Sequence, residues 1–318
     1  RSHCLLDYRD YEIIFGVNDR ADPALELVER LKQDFPQRSI RVAVCSEMLG
    51  ANLKVSALAQ MVPLARSEYL VVNDSDIRVE KDYLQCVIRP LLDPRAGMVT
   101  CLYRGIAANS LGSKLESLGI STDFAPGVLA AWLLENGIRF GLGSTLALRK
   151  QELQAIGGFE AFADYLADDY ELGRRIAAAG FEVRLSEVVV ETFLPAYKFA
   201  DFFRHQVRWA RSIRDSRPWG FAGMVVTFGV AWGLLALAAT RNVWGWMVLA
   251  LLLCLRAVVA WAVGDRILRD RQFYKYLVLL PLRDLMAVLV WAASFLGHSI
   301  HWRGESFTLK DGRLLRHQ

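Results

Sequence analysis

Residues 219–239 carry no charged side chain, and apolar residues dominate from there to residue 300. An uncharged run of that length can cross the ~30 Å hydrocarbon layer of a bilayer. The pattern predicts a second span over residues 243–263, with Arg256 inside it. It also predicts a third apolar segment over 277–300, with Arg283 and Asp284 near its start. Adjacent opposite charges there point to a broken or interfacial first half, because an unpaired charge at mid-bilayer costs at least ~2.5 kcal/mol. The link at 264–275 and the tail at 301–318 are both basic, which favours the cytoplasmic side for each. Three full crossings cannot leave the first two hundred residues, the link and the tail on one side. Two spans are therefore expected, and the path of the third segment stays open.

Residues 1–200 read differently. Short runs rich in β-branched residues at 11–17, 40–45, 69–73 and 97–103 predict strands, with helical patterns between them. In "DPALELVERLKQDFP", Asp22 is a good N-cap, Pro23 suits the first helical turn and Pro36 stops the chain. Near-continuous apolar strands alternating with helices predict an α/β fold, a mostly parallel sheet with helices on both faces. Net charge is only +4, which implies no general affinity for nucleic acid. Cys4, Cys45, Cys86, Cys101 and Cys254 have no C-x-x-C spacing, so neither a zinc site nor a disulfide framework is expected.

Ligands of open α/β sheets bind beyond the carboxyl ends of the strands. Two acidic loops fall at such ends: "NDRADP" at 18–23, and Asn73-Asp74-Ser75-Asp76 after the run Tyr69 to Val72. Residues i and i+2 of an extended chain project to the same side, so Asp74 and Asp76 can meet one cation. The alternative is a solvated turn that caps the next helix. Further on, "LADDYELGRRIAAAG" at 166–180 predicts a helix ended by Gly180, with Asp168 and Asp169 in its first turn. The helix dipole favours anions there. Successive helical residues point about 100° apart, which predicts that only one of the two faces a pocket. Residues 199–217 form an amphipathic segment with Arg204, Arg208 and Arg211 on one face, suited to lie at a membrane surface.

An acidic rim on an α/β domain, joined to a membrane anchor, fits group transfer from an anionic donor to a lipid. The ordered set D-P, D-S-D, D-D-Y and x-x-x-R-W, followed by membrane segments, resembles the ceramide glucosyltransferase-like family. "YEIIFGVNDRADPA", "NLK", "NDSDIRV", "GSTLALRK" and "GGFEAFADYLADDYELG" extend the likeness over nearly the whole chain. The stretch "STDFAPGVLAAWLLENGIRFGLGSTLALRK" resembles the bacterial branch, which includes hopanoid biosynthesis glycosyltransferases. The resemblance implies a GT-A fold and an inverting transfer of a hexose, glucose or N-acetylglucosamine, from a UDP-sugar to a lipid hydroxyl such as that of ceramide or a hopanoid. It implies Mn²⁺ or Mg²⁺ as cofactor and a catalytic domain on the cytoplasmic side of a membrane, in bacteria the inner one.

Carried over by position, the resemblance implies that Asp22, Lys54, Asp74, Arg208 and Trp209 bind the nucleotide sugar. It gives Asp74 and Asp76 the metal and Asp169 the role of general base. The implied organisation is a catalytic domain over 1–198, an interfacial helix over 199–217, membrane segments over 219–300 and a basic tail over 301–318. Two departures stand out. His205 occupies a position that is Gln or Arg in the family's R-W motif. The family's opening membrane helix and Lys-Pro-Leu strand have no counterpart, so the first visible strand is expected to be the second of its sheet. The alternatives are a processive polysaccharide synthase, which uses the same acidic set, and a non-catalytic membrane scaffold that keeps the fold.

Overall fold

Strands β1 (Glu12–Val17) and β2 (Ser39–Val44) pair in parallel, Glu12 opposite Ser39 and Val17 opposite Val44. Helix α1 (Ala24–Asp34) joins them in sequence and covers them with Val28, Leu31 and the adjoining Phe35, packed near Ile40 and Ile13. Asp22 caps α1 as expected, its Oδ1 accepting the Ala24 N–H at 2.8 Å. The computed structural model describes residues 1–302 and 304–316. Of the expected basic tail, Arg303, His317 and Gln318 lie outside the described residues.

The elements that follow are α2 (Leu53–Met61), β3 (Tyr69–Val72), β4 (Ile77–Arg78), α3 (Tyr83–Ile88) and β5 (Ala96–Ile106). Then come α4 (Leu111–Gly119), α5 (Ala125–Leu134), β6 (Leu146–Arg149), α6 (Lys150–Ala155), α7 (Asp168–Ala178) and β7 (Glu182–Phe193). A five-stranded sheet has the order β3-β6-β5-β7-β4. β6 runs antiparallel to β3, with Val72 opposite Leu146, and antiparallel to β5, with Met98 opposite Leu148. β3 and β5 therefore run the same way, and the reversed β6 makes the sheet mixed. Leu146 and Leu148 are fully buried on β6, beside Met98, Val55 and Leu172. Each such side chain contributes about 1.5–3 kcal/mol of burial.

The remaining elements are α8 (Phe199–Ser216), α9 (Pro218–Gly223), α10 (Gly229–Thr240), α11 (Val243–Ala260), α12 (Phe273–Tyr276), α13 (Leu280–Ser294), β8 (Ser299–Trp302), β9 (Glu305–Lys310) and β10 (Arg313–Arg316). The chain divides into two compact units. The first comprises residues 1–102, 135–190 and 313–316, and the second comprises 103–134 and 191–312.

Three helices of the second unit are long and apolar enough to cross a membrane: Leu111–Leu134, Val243–Ile267 and Phe273–Ser294. The first of these was not expected, because Lys114, Glu116, Asp123 and Pro126 interrupt its apolar pattern. The uncharged run at 219–239 is bent by 51° between Pro218–Thr227 and Gly229–Thr240. The third expected segment stops at Ser294 rather than residue 300.

Arg283 and Asp284, whose charges suggested a broken or interfacial first half, are paired within the fold. Arg283 is buried, and Asp284 accepts from the Arg256 guanidinium of α11 at 2.6 Å. Asp123, in the π-helical stretch that joins α4 to α5, pairs with Arg256 at 2.5 Å and Arg283 at 3.0 Å. Arg256 also donates to the Thr122 carbonyl. Pro126, four residues on, has no N–H to offer that carbonyl. The pairing runs between helices, which a reading of each segment alone could not reveal.

Candidate active site

The antiparallel register sets the geometry. β3 ends at Val72 opposite Leu146, the first residue of β6. The carboxyl end of β3 therefore meets the loop that enters β6. Asn73 fastens the two together, its Nδ2 donating to the Ser144 carbonyl at 2.7 Å and to the Tyr83 hydroxyl at 2.8 Å. Asp74 comes next in sequence. A Cβ built on Gly143 would lie 3.3 Å from Asp74 Oδ2 and 3.3 Å from Asp169 Oδ2. The two carboxylates thus reach one small space, open because residue 143 has no side chain. The loop is also tied to α7, since the Gly141 N–H donates to the Asp169 carbonyl at 3.1 Å.

Lys54 stands at the centre. Its Nζ is 2.8 Å from Asp74 Oδ1 and 3.0 Å from Asp168 Oδ2. The second of these is a charge contact without hydrogen-bond geometry, and Asp168 Oδ2 is buried with no hydrogen-bond partner. Burial alone would lower the Lys54 pKa, but Asp168, Asp74 and Asp169 together push it up instead. Lys54 is held charged. The Asp169 pKa is raised as well, to about 6, which for a carboxyl group favours the neutral form. Burial is the largest cause and the neighbouring Asp168 adds to it, while Lys54 and the Tyr170 N–H partly offset both.

The expectation that only one of Asp168 and Asp169 faces the site is corrected here. Asp168 meets Lys54 directly, and Asp169 shares the space at Gly143 with Asp74. The 100° argument supposes a pocket beside the helix. The cluster instead lies at the N-terminal end of α7, where both first-turn residues reach it.

Asp76 is exposed in the turn after β3. Asp22 is partly exposed at the start of α1, and among the described residues its hydrogen bonds are those of its own turn. Asn73, Gly143 and the bridging role of Lys54 were not read from residue patterns. Only their register across strands brings them together.

Among the described residues, no three His, Cys, Asp or Glu side chains form a ready-made metal cage. The donors present fit a hard divalent cation all the same. Mg²⁺ is usually held by one or two carboxylates, with substrate phosphates completing its shell. Asp74 and Asp76 are of that type, and one lysine among Asp74, Asp168 and Asp169 leaves negative charge in surplus.

Arg208 and Trp209 lie on α8 in the second unit, with Trp209 against His205 at 4.9 Å between ring centroids. His205 Nδ1 is 3.4 Å from Oε1 of the buried Glu116. The arginines of α8 differ sharply. Arg204 pairs with Asp201 on the surface. Arg211 donates to the Ser299 and Leu296 carbonyls, which ties down the chain after α13. Arg214, buried, does the same through Ser294 and Gly297. Among the described residues, Arg208 has no hydrogen bond or ion pair, and burial lowers its pKa.

Residues 1–315 match the family described as glycosyl transferase family 21. Ceramide glucosyltransferase 3 of Caenorhabditis elegans is 22% identical over 96% of this chain and 68% of its own length. Ceramide glucosyltransferase 1 of the same organism is 23% identical over 64% of this chain, which spans 44% of that relative. Among solved structures, the mannosyltransferase PcManGT of Pyrobaculum calidifontis, in complex with GDP-Man and Mn²⁺, superposes with a TM-score of 0.53 at 19% identity. It covers 92% of this chain and 81% of its own. At that identity the likeness is one of fold, and the fold is that of the GT-A glycosyltransferases.

Proposed function

The chain belongs to glycosyl transferase family 21, and on that premise we propose that it is a membrane-bound inverting glycosyltransferase that moves a hexose from a UDP-sugar to a lipid hydroxyl. The observation that carries the reading is the cluster around Lys54, with Asp169 pushed to about 6 beside it. A general base works best with a pKa near the operating pH.

In this reading Asp169 takes the proton of the acceptor hydroxyl. The freed oxygen bonds to the anomeric carbon from the face opposite the diphosphate. The bond from that carbon to the phosphate oxygen breaks, and UDP leaves with the electron pair. A divalent ion, Mn²⁺ or Mg²⁺, held by Asp74 and Asp76 would supply positive charge to the departing diphosphate. Lys54 bridges Asp74 and Asp168 and offsets the repulsion among the carboxylates. Arg208 offers the diphosphate a planar guanidinium that makes no hydrogen bond or ion pair among the described residues. Asp22 and Trp209 complete the donor contacts.

The acceptor is a membrane lipid with a free hydroxyl, ceramide or a hopanoid polyol, and the sugar is glucose or N-acetylglucosamine. The basic residues between the apolar helices support a catalytic unit on the cytoplasmic face, in a bacterium that of the inner membrane. The test is direct. Membranes containing the chain are incubated with radiolabelled UDP-glucose or UDP-N-acetylglucosamine, Mn²⁺ and each lipid. Label in an organic-extractable product supports the reading. Label in a polymer favours a processive synthase, and no product in any combination overturns it.

A further inference from the structure

Resting on that reading, we infer that β10 is a positioning element for the Lys54 cluster, acting through Tyr165 and Asn52. Lysine has a long, flexible side chain, so contacts of 2.8 and 3.0 Å to two carboxylates require a fixed backbone. Lys54 is the second residue of α2. The helix begins at Asn52, which is fully buried, and whose Oδ1 accepts the Lys54 N–H at 3.0 Å and the Val55 N–H at 3.3 Å. Asn52 is held in turn by residues 163–165. Its N–H donates to the Ala163 carbonyl at 2.7 Å and its Nδ2 to the Tyr165 carbonyl at 2.8 Å. The Ala51 N–H donates to Asp164 Oδ1 at 2.9 Å. Three residues past Tyr165 the chain reaches Asp168. One short segment therefore anchors Lys54 at one end and supplies its partners at the other.

That segment is bound on its far side by β10. The Leu314 N–H donates to the Asp164 carbonyl at 2.7 Å, and Tyr165 bridges antiparallel to Arg313. Arg313 Nε donates to the Tyr165 hydroxyl at 3.2 Å, and its guanidinium lies 5.2 Å from the ring centroid. The inner side of the loop before α2 is tied to the helix by Ser56 Oγ, which accepts the Leu49 N–H at 3.2 Å and the Gly50 N–H at 3.3 Å, while its outer side is open. A cavity of about 460 Å³ opens there, lined by Met48 to Ala51, Asp164 and Arg313 to Arg316. Without β10, Asp164 and Tyr165 lose their outer anchor, while Ala163 stays packed in the core. A shift of about 1 Å in a positioning group can cost on the order of 10²-fold in rate.

The test uses the full chain in detergent or nanodiscs, with Arg313→Ala, Tyr165→Phe and, as control, the exposed Leu315→Ala. Hydrogen exchange over residues 48–56 reads the clamp, and turnover with a UDP-sugar reads its consequence. Arg313→Ala is expected to speed exchange there about tenfold and to lower kcat about tenfold, the worth of one well-placed hydrogen bond. KM for the donor and exchange over β1 and β2 should stay unchanged. Tyr165→Phe, which keeps the ring, should show a smaller loss of the same kind. Unchanged exchange over 48–56, or faster exchange everywhere, overturns the inference. So does faster local exchange with kcat intact. If the unaltered chain transfers no sugar at all, the proposed function fails, while the exchange pattern still decides whether β10 sets the Lys54 backbone.

Discussion

Two clusters of four charged side chains, partly to fully buried, with Asp74 the most open, differ in balance. In the second unit, Arg256 and Arg283 meet Asp123 and Asp284, two cations with two anions. In the first, Lys54 alone faces Asp74, Asp168 and Asp169. The balanced cluster joins three apolar helices, and its charges answer one another. The unbalanced one sits where β3 and β6 meet, and its negative surplus has no counterpart among its own members. Burying a charge is costly unless it is paired. In the proposed reading, a cluster kept out of balance in spite of that cost answers a positive group that arrives with a ligand. The difference separates a device for holding helices from a device for chemistry, though both look alike as acidic and basic letters in an apolar context.

Breaking the balanced cluster should have the largest effect, and it should appear as lost stability. Arg256→Met leaves Asp123 and Asp284 without their shared cation, and such losses cost about 3–5 kcal/mol. Lower yield and earlier thermal unfolding in detergent are expected. A change of all four residues, Arg256, Arg283, Asp123 and Asp284, to apolar residues of similar size should recover much of the stability. Arg256→Met with unaltered unfolding would show that the network does not hold the helices.

The unbalanced cluster should fail the other way, with stability kept and turnover lost. Asp169→Asn is expected to lower kcat at least ~10²-fold, the lower range of general-base contributions, with donor binding retained. Asp168→Asn keeps the base and should lose far less. Equal losses for the two variants would remove Asp169 from its assigned role.

How much of this contrast was legible in the sequence depends on its range. Strands β1, β2, β3 and β5 follow from apolar runs, and α1 and α7 from Asp22 and the positive-φ Gly180, because those signals are local. The acidic candidates were visible because Asp74 and Asp76 stand two residues apart at a strand end. The full length of β7 was hidden by charges at Glu182, Arg184, Glu187 and Glu191, which break its apolar run. The bend in the 218–240 segment has no charge or internal proline to announce it. Both charge clusters depend on contacts between residues far apart in the chain. Lys54 to Asp168 and Arg256 to Asp123 are set by strand register and helix packing, which no local pattern encodes.

A smaller effect should follow from the arginines of α8, which repeat the comparison on one helix. Arg204, Arg211 and Arg214 have partners, and Arg208 has none among the described residues. Arg208→Lys keeps the charge but loses the planar fork that suits a phosphate. A roughly tenfold fall in kcat is expected, with membrane attachment and unfolding temperature intact, while Arg204→Lys is silent. The reverse outcome would mean that the unpartnered arginine is not the one that meets the donor.

The smallest expected effect is a displacement along the pH axis, and it tests the imbalance itself. Asp169 is pushed to about 6 by burial first and by Asp168 second, with Lys54 opposing. A general base must be ionised, so kcat should be steady above pH 7 and fall as pH drops through about 6, where half the carboxyl groups are protonated. Asp168→Asn removes one of the two anions that raise this pKa. The acid limb of its kcat profile should therefore move to lower pH. At pH 5.5 the variant would lose a smaller share of its own maximum than the unaltered chain does. Turnover measured from pH 5 to 8, with the donor saturating and metal constant, resolves the two limbs. If both fall at the same pH, the charge on Asp168 does not reach the base, and the surplus at Lys54 is not what tunes it.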